Sequence, residues 1–209
     1  MSGQVEHIEF DIESVLSQFK SDEWLDRYWD ILSQENKKVN LVSRETGAQE
    51  FRRMAAESLF PFTQLRPPYE SYLDIGSGGG LPAIPIILSG TVSGPTFLFE
   101  RTQKKAVALS RIVSALGIKR VKVFPESFGE KSVVEKFALV TLSYVSLTQP
   151  LLNSISSTLK PGGILVYYSR PDFSPTGLTF KTFSYSHSTT DTHKRFSLFV
   201  KQSAIRRHF

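Results

Sequence analysis

The chain has 209 residues, 40% hydrophobic and 22% charged, which suits one α/β domain with a small extension and a core of its own. It has no cysteine, which excludes disulfides and thiolate metal sites, and its opening residues, MSGQVEHIEFDIES, do not read as a signal peptide. Its formal charge of +5 favours polyanions mildly and equally describes a solvated surface, and no segment offers the ~18 apolar residues of a membrane span, so a cytoplasmic chain without membrane contact is expected.

No internal repeat or low-complexity tract is visible, and the first third reads helical. Asp11 to Phe19 forms a short helix. A second follows, with Ser21 as its cap and Trp24, Leu25, Tyr28, Trp29, Ile31 and Leu32 on one apolar face by their spacings of three and four. A third runs from Glu45 to Phe60 and stops at Pro61. From Ser71 short apolar runs alternate with helical ones. Strands are expected at Tyr72-Leu73, Thr96 to Phe99, Val121 to Phe124, Phe137 to Leu142 and Ile164 to Tyr168. Helices are expected near Pro82, at Lys104 to Leu116, and at Leu147 to Leu159 before Lys160-Pro161-Gly162-Gly163. Leu178 to Ser186 and Arg195 to Lys201 read as two antiparallel strands, and Arg206 to Phe209 as a frayed tail. The pattern predicts an α/β, Rossmann-like fold: a mostly parallel seven-stranded sheet at residues 67–209, preceded by a helical extension at residues 1–66.

The chemistry concentrates in the turn after the first of these strands. Asp74 ends that strand, and Gly76, Gly78 and Gly80 permit a tight turn and close backbone approach to a ligand. A dinucleotide fingerprint, G-x-G-x-x-G, would need glycine at 81, where Leu81 stands. The observed G-x-G-x-G spacing resembles that of class I methyltransferases, whose turn faces the methionine moiety of S-adenosylmethionine. Glu100 ends the second strand, twenty residues after Gly80, where a carboxylate can accept hydrogen bonds from a ribose diol. Turn, strand-end acid and alternating elements together favour S-adenosylmethionine over a nicotinamide nucleotide or a purely structural loop.

Three segments then resemble one family, the bacterial small-subunit ribosomal RNA guanine-N7 methyltransferases, also called glucose-inhibited division protein B. Residues 36–43, NKKVNLVS, are similar to its W-N-x-x-x-N-L-[TV] signature. Residues 73–85, LDIGSGGGLPAIP, are similar to its D-[VI]-G-[ST]-G-x-G-[FL]-P-G-I-P. Gln103-Lys104-Lys105 with Leu116-Gly117 is similar to its G-K-[KR] helix and following L-G-L. The resemblance implies a cofactor held by Gly76, Leu81 and Glu100, with Phe128 and Gly129 flanking the adenine. Glu35 stands where the family has tryptophan, Met54 where it has histidine, and Ser169-Arg170 where it has lysine. Leu142-Ser143-Tyr144 offers no counterpart to its arginine.

Methyl transfer to guanine N7 needs no general base, because N7 carries a lone pair and no proton, so positioning can supply the catalysis. The histidines His7, His187, His193 and His208 show no metal spacing, and no metal is expected. Lys37, Lys38, Arg52 and Arg53, with Asn40 among them, are candidates for contact with ribosomal RNA or the small ribosomal subunit, or else form a solvated face. Arg170 is the candidate catalytic cation, since its planar fork suits phosphate. Phe97, Phe99, Phe124 and Phe128 read as core rather than a base-stacking platform. A monomer is expected. Three readings stay open: a ribosomal RNA methyltransferase, a methyltransferase of the same scaffold acting on a small molecule or protein, and a non-catalytic cofactor- or RNA-binding relative.

Overall fold

The computed structural model describes residues 5–129, 134–186 and 193–202. The N-terminal part contributes a short strand, β1 (Val5–His7), and three helices, α1 (Ile12–Gln18), α2 (Leu25–Asn36) and α3 (Ala48–Leu59). There follow β2 (Tyr72–Ile75), α4 (Ala83–Leu88), β3 (Thr96–Phe99), α5 (Gln103–Ala115), β4 (Val121–Phe124), β5 (Phe137–Leu142), α6 (Gln149–Thr158), β6 (Leu159–Tyr167), β7 (Thr179–Ser186) and β8 (His193–Val200). The eight strands form one sheet in the order β1-β7-β8-β6-β5-β2-β3-β4. The run from β4 to β6 is parallel, and β8 lies antiparallel between β6 and β7. The seven expected strands are present, and β1 adds an eighth at the edge, parallel to β7.

Strand alternation places successive side chains on opposite faces. Tyr72, Leu98, Leu139 and Val166 pack on one face with residues of α1 to α5. Leu73, Ile75, Val140, Leu142 and Leu165 pack on the other with Leu152 and Ile155 of α6. Phe99 stacks on Phe124 at 4.6 Å, with Phe128 edge-on to Phe99 at 5.7 Å, so these rings belong to the second core layer. Chain connection reverses direction at β2, with β3 on one side and β5 on the other, which opens a crevice beyond their carboxyl ends.

Two local expectations are corrected. Ser21 does not cap α2. Lys20 adopts a left-handed conformation, Ser21–Glu23 form a single 3-10 turn, and α2 starts at Leu25 with no side-chain cap. The expected stop before Pro61 is met, since α3 ends at Leu59, and Pro61 itself sits in the first turn of a 3-10 segment, Phe60–Gln64, where its missing N–H costs nothing. Lys160-Pro161-Gly162-Gly163 is not a plain connector either. The segment lies within β6 as an irregularity opposite Phe137, and a Cβ on Gly163 would come within 2.8 Å of the Lys160 carbonyl. The expected frayed tail lies outside the described residues. Among them, no helix is long and apolar enough to cross a membrane.

Candidate active site

The turn after β2 is tied down by backbone bonds. The N–H groups of Gly76 and Ser77 both donate to the Phe99 carbonyl, at 2.8 and 3.0 Å, and Gly80 N–H donates to Ser77 at 2.7 Å. Gly76, Gly78 and Gly80 have φ of +80°, +51° and +100°, the region that favours glycine. Packing adds a second reason at two of them. A Cβ on Gly76 would stand 2.7 Å from the Val145 side chain, and one on Gly80 would stand 2.4 Å from Ile84. A Cβ on Gly78 would meet only the Gly76 carbonyl, at an ordinary contact distance of 3.9 Å. The turn is also propped from the N-terminal helices, where the buried Tyr28 hydroxyl donates to the Gly79 carbonyl at 3.0 Å.

A cavity of about 890 Å³ opens over this turn. Its walls include Gly76, Gly78 and Leu81, the strand-end Phe99, Glu100 just after it, and Phe128, all but Phe99 among the residues the sequence assigns to the cofactor. Glu100 is buried, with one carboxylate oxygen accepting from Gly78 N–H at 3.0 Å and the other from Thr102 N–H at 2.7 Å. Each carboxylate oxygen can accept twice, so the clamp leaves one acceptor site on each oxygen for a diol. A carboxylate between two amide donors, an aromatic wall and a close-approach glycine therefore fit an amino-acid-bearing nucleoside such as S-adenosylmethionine, and the volume lies in the range of small-molecule sites.

Three expected site residues stand elsewhere. Asp74 does not reach the cavity. It is buried, Thr141 donates its hydroxyl to one carboxyl oxygen, and the other has no hydrogen-bond partner. Burial pushes its carboxyl up to about 6, and the hydrogen bond from Thr141 opposes the rise, while the Ser77 hydroxyl donates to the Asp74 backbone carbonyl. Gly80 is packed under the turn against Ile84 and Tyr28 rather than on the cavity wall. Gly129 is exposed beside Phe128, with φ +95° and nothing near its missing side chain.

The basic stretch before the turn is largely engaged within the chain. Arg52 pairs with Glu13 at 2.6 Å and Asp22 at 3.3 Å, Arg53 pairs with Glu50 and Glu57, and Lys38 pairs with Glu35 at 2.6 Å. Lys37 makes no ion pair among the described residues, and none of these four cations lines the cavity. Asn40 is exposed and does not line it either. Asn36 acts in the structure of the loop: its side-chain oxygen accepts from Leu41 N–H at 2.8 Å and Val42 N–H at 3.1 Å, which sets Leu41, Val42 and Ser43 along the cavity.

A second cavity, of about 490 Å³, adjoins the first. Met54, Leu81 and residues 143–146 line both. Arg170 lies in this second cavity with His193, Lys194 and Arg195, none of the last three foreseen as site residues. Lys194 pairs with Glu57 at 2.7 Å, whereas Arg170 and Arg195 are exposed without an ion pair among the described residues. The first cavity likewise adds Arg101, two residues after β3, and Lys105, in the first turn of α5. Their position after the strand-end acid was a usable signal. Residues 193–195 reach the site only because β8 inserts beside β6. No group of three or more metal-ligating side chains occurs among the described residues.

Comparison with known proteins agrees with this geometry. The family model for rRNA small subunit methyltransferase G matches residues 21–184. A protein named ribosomal RNA small subunit methyltransferase G from Wolinella succinogenes is 30% identical over 163 residues, 78% of each chain. One of the same name from Magnetococcus marinus is 33% identical over 113 residues, 53% of this chain, and the chain spans about half the length of that relative, 50%. In fold, the chain is similar to an O-methyltransferase from Bacillus cereus solved in complex with SAH (TM-score 0.61, 15% identity, 92% of this chain and 100% of that one). A methyltransferase from Pyrococcus furiosus is also similar (TM-score 0.59, 13% identity, 77% and 87%). The sheet is thus that of the class I methyltransferases, and the chain belongs to the rRNA small subunit methyltransferase G family.

Proposed function

We propose that the chain transfers the methyl group of S-adenosylmethionine to guanine N7 in small-subunit (16S) ribosomal RNA. The observation that carries this reading is the junction of the two cavities: the one holding the Glu100 clamp opens, across a shared wall, into one lined by Arg170, Lys194 and Arg195. A nucleoside-sized cofactor on one side and cations on the other suit a donor facing a polyanion. When bound, S-adenosylmethionine supplies an electrophilic methyl on a sulfonium sulfur. Glu100 holds its ribose, Leu81, Phe128 and the backbone of Gly78 shape the space around it, Asp74 and Gly80 support the turn from beneath, and Gly129 allows the chain to bend beside Phe128. N7 attacks with its own lone pair and no proton moves, so the chain's task is alignment. Arg170 is the proposed cation for the acceptor strand.

The N-terminal segment, residues 1–66, serves in this reading as an extension that closes the cofactor cavity with Leu41, Val42 and Ser43, while Lys37 and Asn40 face the RNA at its edge. The chain acts as a monomer in the cytoplasm, where ribosomes are assembled. A second reading, a small-molecule or protein acceptor, draws on Met54 and Ser143-Tyr144 at the shared wall, where the family has histidine and arginine. Purified protein incubated with labelled S-adenosylmethionine and small ribosomal subunits or free 16S RNA distinguishes them. Label in 7-methylguanosine supports the first reading, and label only in other acceptors supports the second.

A further inference from the structure

One side chain at the shared wall is unexplained by the fold. Tyr144 is 91% exposed, the single aromatic among the exposed large hydrophobic residues described. Its backbone is left-handed, with φ of +55°, a conformation that disfavours any side chain bearing a Cβ. Its neighbours are fixed: Ser143 is buried directly after β5, and the Val145 side chain occupies the space over Gly76. Tyr144 is therefore a strained, solvated ring held on an anchored loop between the cofactor cavity and the cation-lined cavity. Burial gains nothing from such a ring in the free protein, and strain at a site of this kind points to a partner.

We propose that Tyr144 stacks on the acceptor purine, holding its plane between the glycine turn and the cations of the second cavity. The inference rests on the ribosomal RNA reading above and names the group that grips the base within it. A base can be modified only when it leaves its stack, and an extruded base recovers part of that loss against an aromatic face. Arg170 and Arg195 stand on the side where the strand's phosphates would run, and Met54 and Leu81 complete an apolar wall on the side of the cofactor. The tyrosine thus supplies by stacking a hold on the base, and the phenol oxygen is not required for it.

The test uses the full-length protein with Tyr144→Ala, Tyr144→Leu, Tyr144→Phe and Tyr144→Trp. Methyl transfer to small-subunit RNA is measured alongside binding of S-adenosylhomocysteine. A second readout is quenching of a fluorescent pteridine analogue of guanine in a single-stranded RNA oligonucleotide. Loss of the ring should lower transfer efficiency about fivefold to a hundredfold in the Ala and Leu variants and abolish the quenching. The Phe and Trp variants should recover most of both, and cofactor affinity should stay constant throughout. Wild-type quenching that depends on the ring, without transfer to ribosomal RNA, would overturn the ribosomal substrate and leave stacking standing. Equal quenching in wild type and Tyr144→Ala, Leu performing as well as Phe, or a parallel loss of cofactor binding would overturn the stacking assignment.

Discussion

Glu100 accepts the Gly78 N–H at 3.0 Å, so the acid ending β3 and the middle glycine of the turn after β2 are locked together across the crevice. Its other oxygen takes the Thr102 N–H, so the carboxylate is oriented before any ligand arrives. Glu100→Gln replaces one acceptor by a donor that must face one of these two amides. The lost charge and one frustrated amide together should weaken cofactor binding by roughly 1–3 kcal/mol, about tenfold to a hundredfold. Calorimetry with S-adenosylhomocysteine checks this, and an unchanged dissociation constant would mean that another group holds the ribose.

The glycines of the turn should separate folding from binding. Gly80→Ala places a methyl against Ile84 and Tyr28 in a backbone conformation suited to glycine, and should cost stability by about 2–4 kcal/mol. The Cβ of Gly78→Leu makes only an ordinary contact with the Gly76 carbonyl, so its folding cost should be about 1–2 kcal/mol, chiefly from the backbone. Its side chain stands at the cavity wall and should abolish S-adenosylhomocysteine binding. Thermal unfolding paired with calorimetry on both variants reads the two effects, and tight binding by Gly78→Leu would contradict the placement of the cavity.

Asp74 makes a prediction in pH. Burial raises its carboxyl from the ordinary 3.8 to about 6, so the folded chain holds a proton that the unfolded chain releases between those values. The stability contributed by the protonated form is complete below about pH 4, declines as pH rises through 6, and is lost by about 3 kcal/mol at neutral pH. Asp74→Asn keeps the acceptor that Thr141 uses and removes the titration. Relative to wild type, its denaturation midpoint should gain between about pH 4 and pH 7. Identical pH slopes in the two proteins would show that Asp74 does not titrate in this window.

Much of the fold was legible because its signals are local. The alternation of Tyr72 with Leu73, the glycine spacing and the acid twenty residues on lie within short windows, and the strand, the turn and Glu100 fall where expected, although Gly80 packs beneath the turn instead of on the cavity wall. Asp74 was misplaced because sequence marks a polar strand end without saying whether its side chain turns to the crevice or to Thr141 on β5. Ser21 resembled a cap, but the left-handed Lys20 redirects the chain before the helix begins. The cations were hardest to read. Arg52 finds Glu13 thirty-nine positions away, and Lys194 finds Glu57 across 137, pairings that only the tertiary fold creates. Three-residue β1 was below the length at which a pattern can declare itself.

These pairings change which cations should matter. Arg52→Ala breaks exposed ion pairs with Glu13 and Asp22 and should cost at most about 1 kcal/mol of stability, with little effect on RNA affinity. Arg170→Ala leaves the fold and cofactor binding unchanged but should reduce methyl transfer at least tenfold and lower the salt slope of RNA binding by about one unit. The reverse pattern, with Arg52 governing RNA affinity and Arg170 neutral, would return the RNA contact to the N-terminal helices.

Methylation of guanine N7 in 16S ribosomal RNA by this chain is put to the test by nucleoside analysis of that RNA from cells with and without the gene. One 7-methylguanosine should disappear from the RNA when the gene is deleted and return with the wild-type gene, but not with a Glu100→Gln copy at low cofactor supply. An unchanged 7-methylguanosine content in the deleted strain would contradict it.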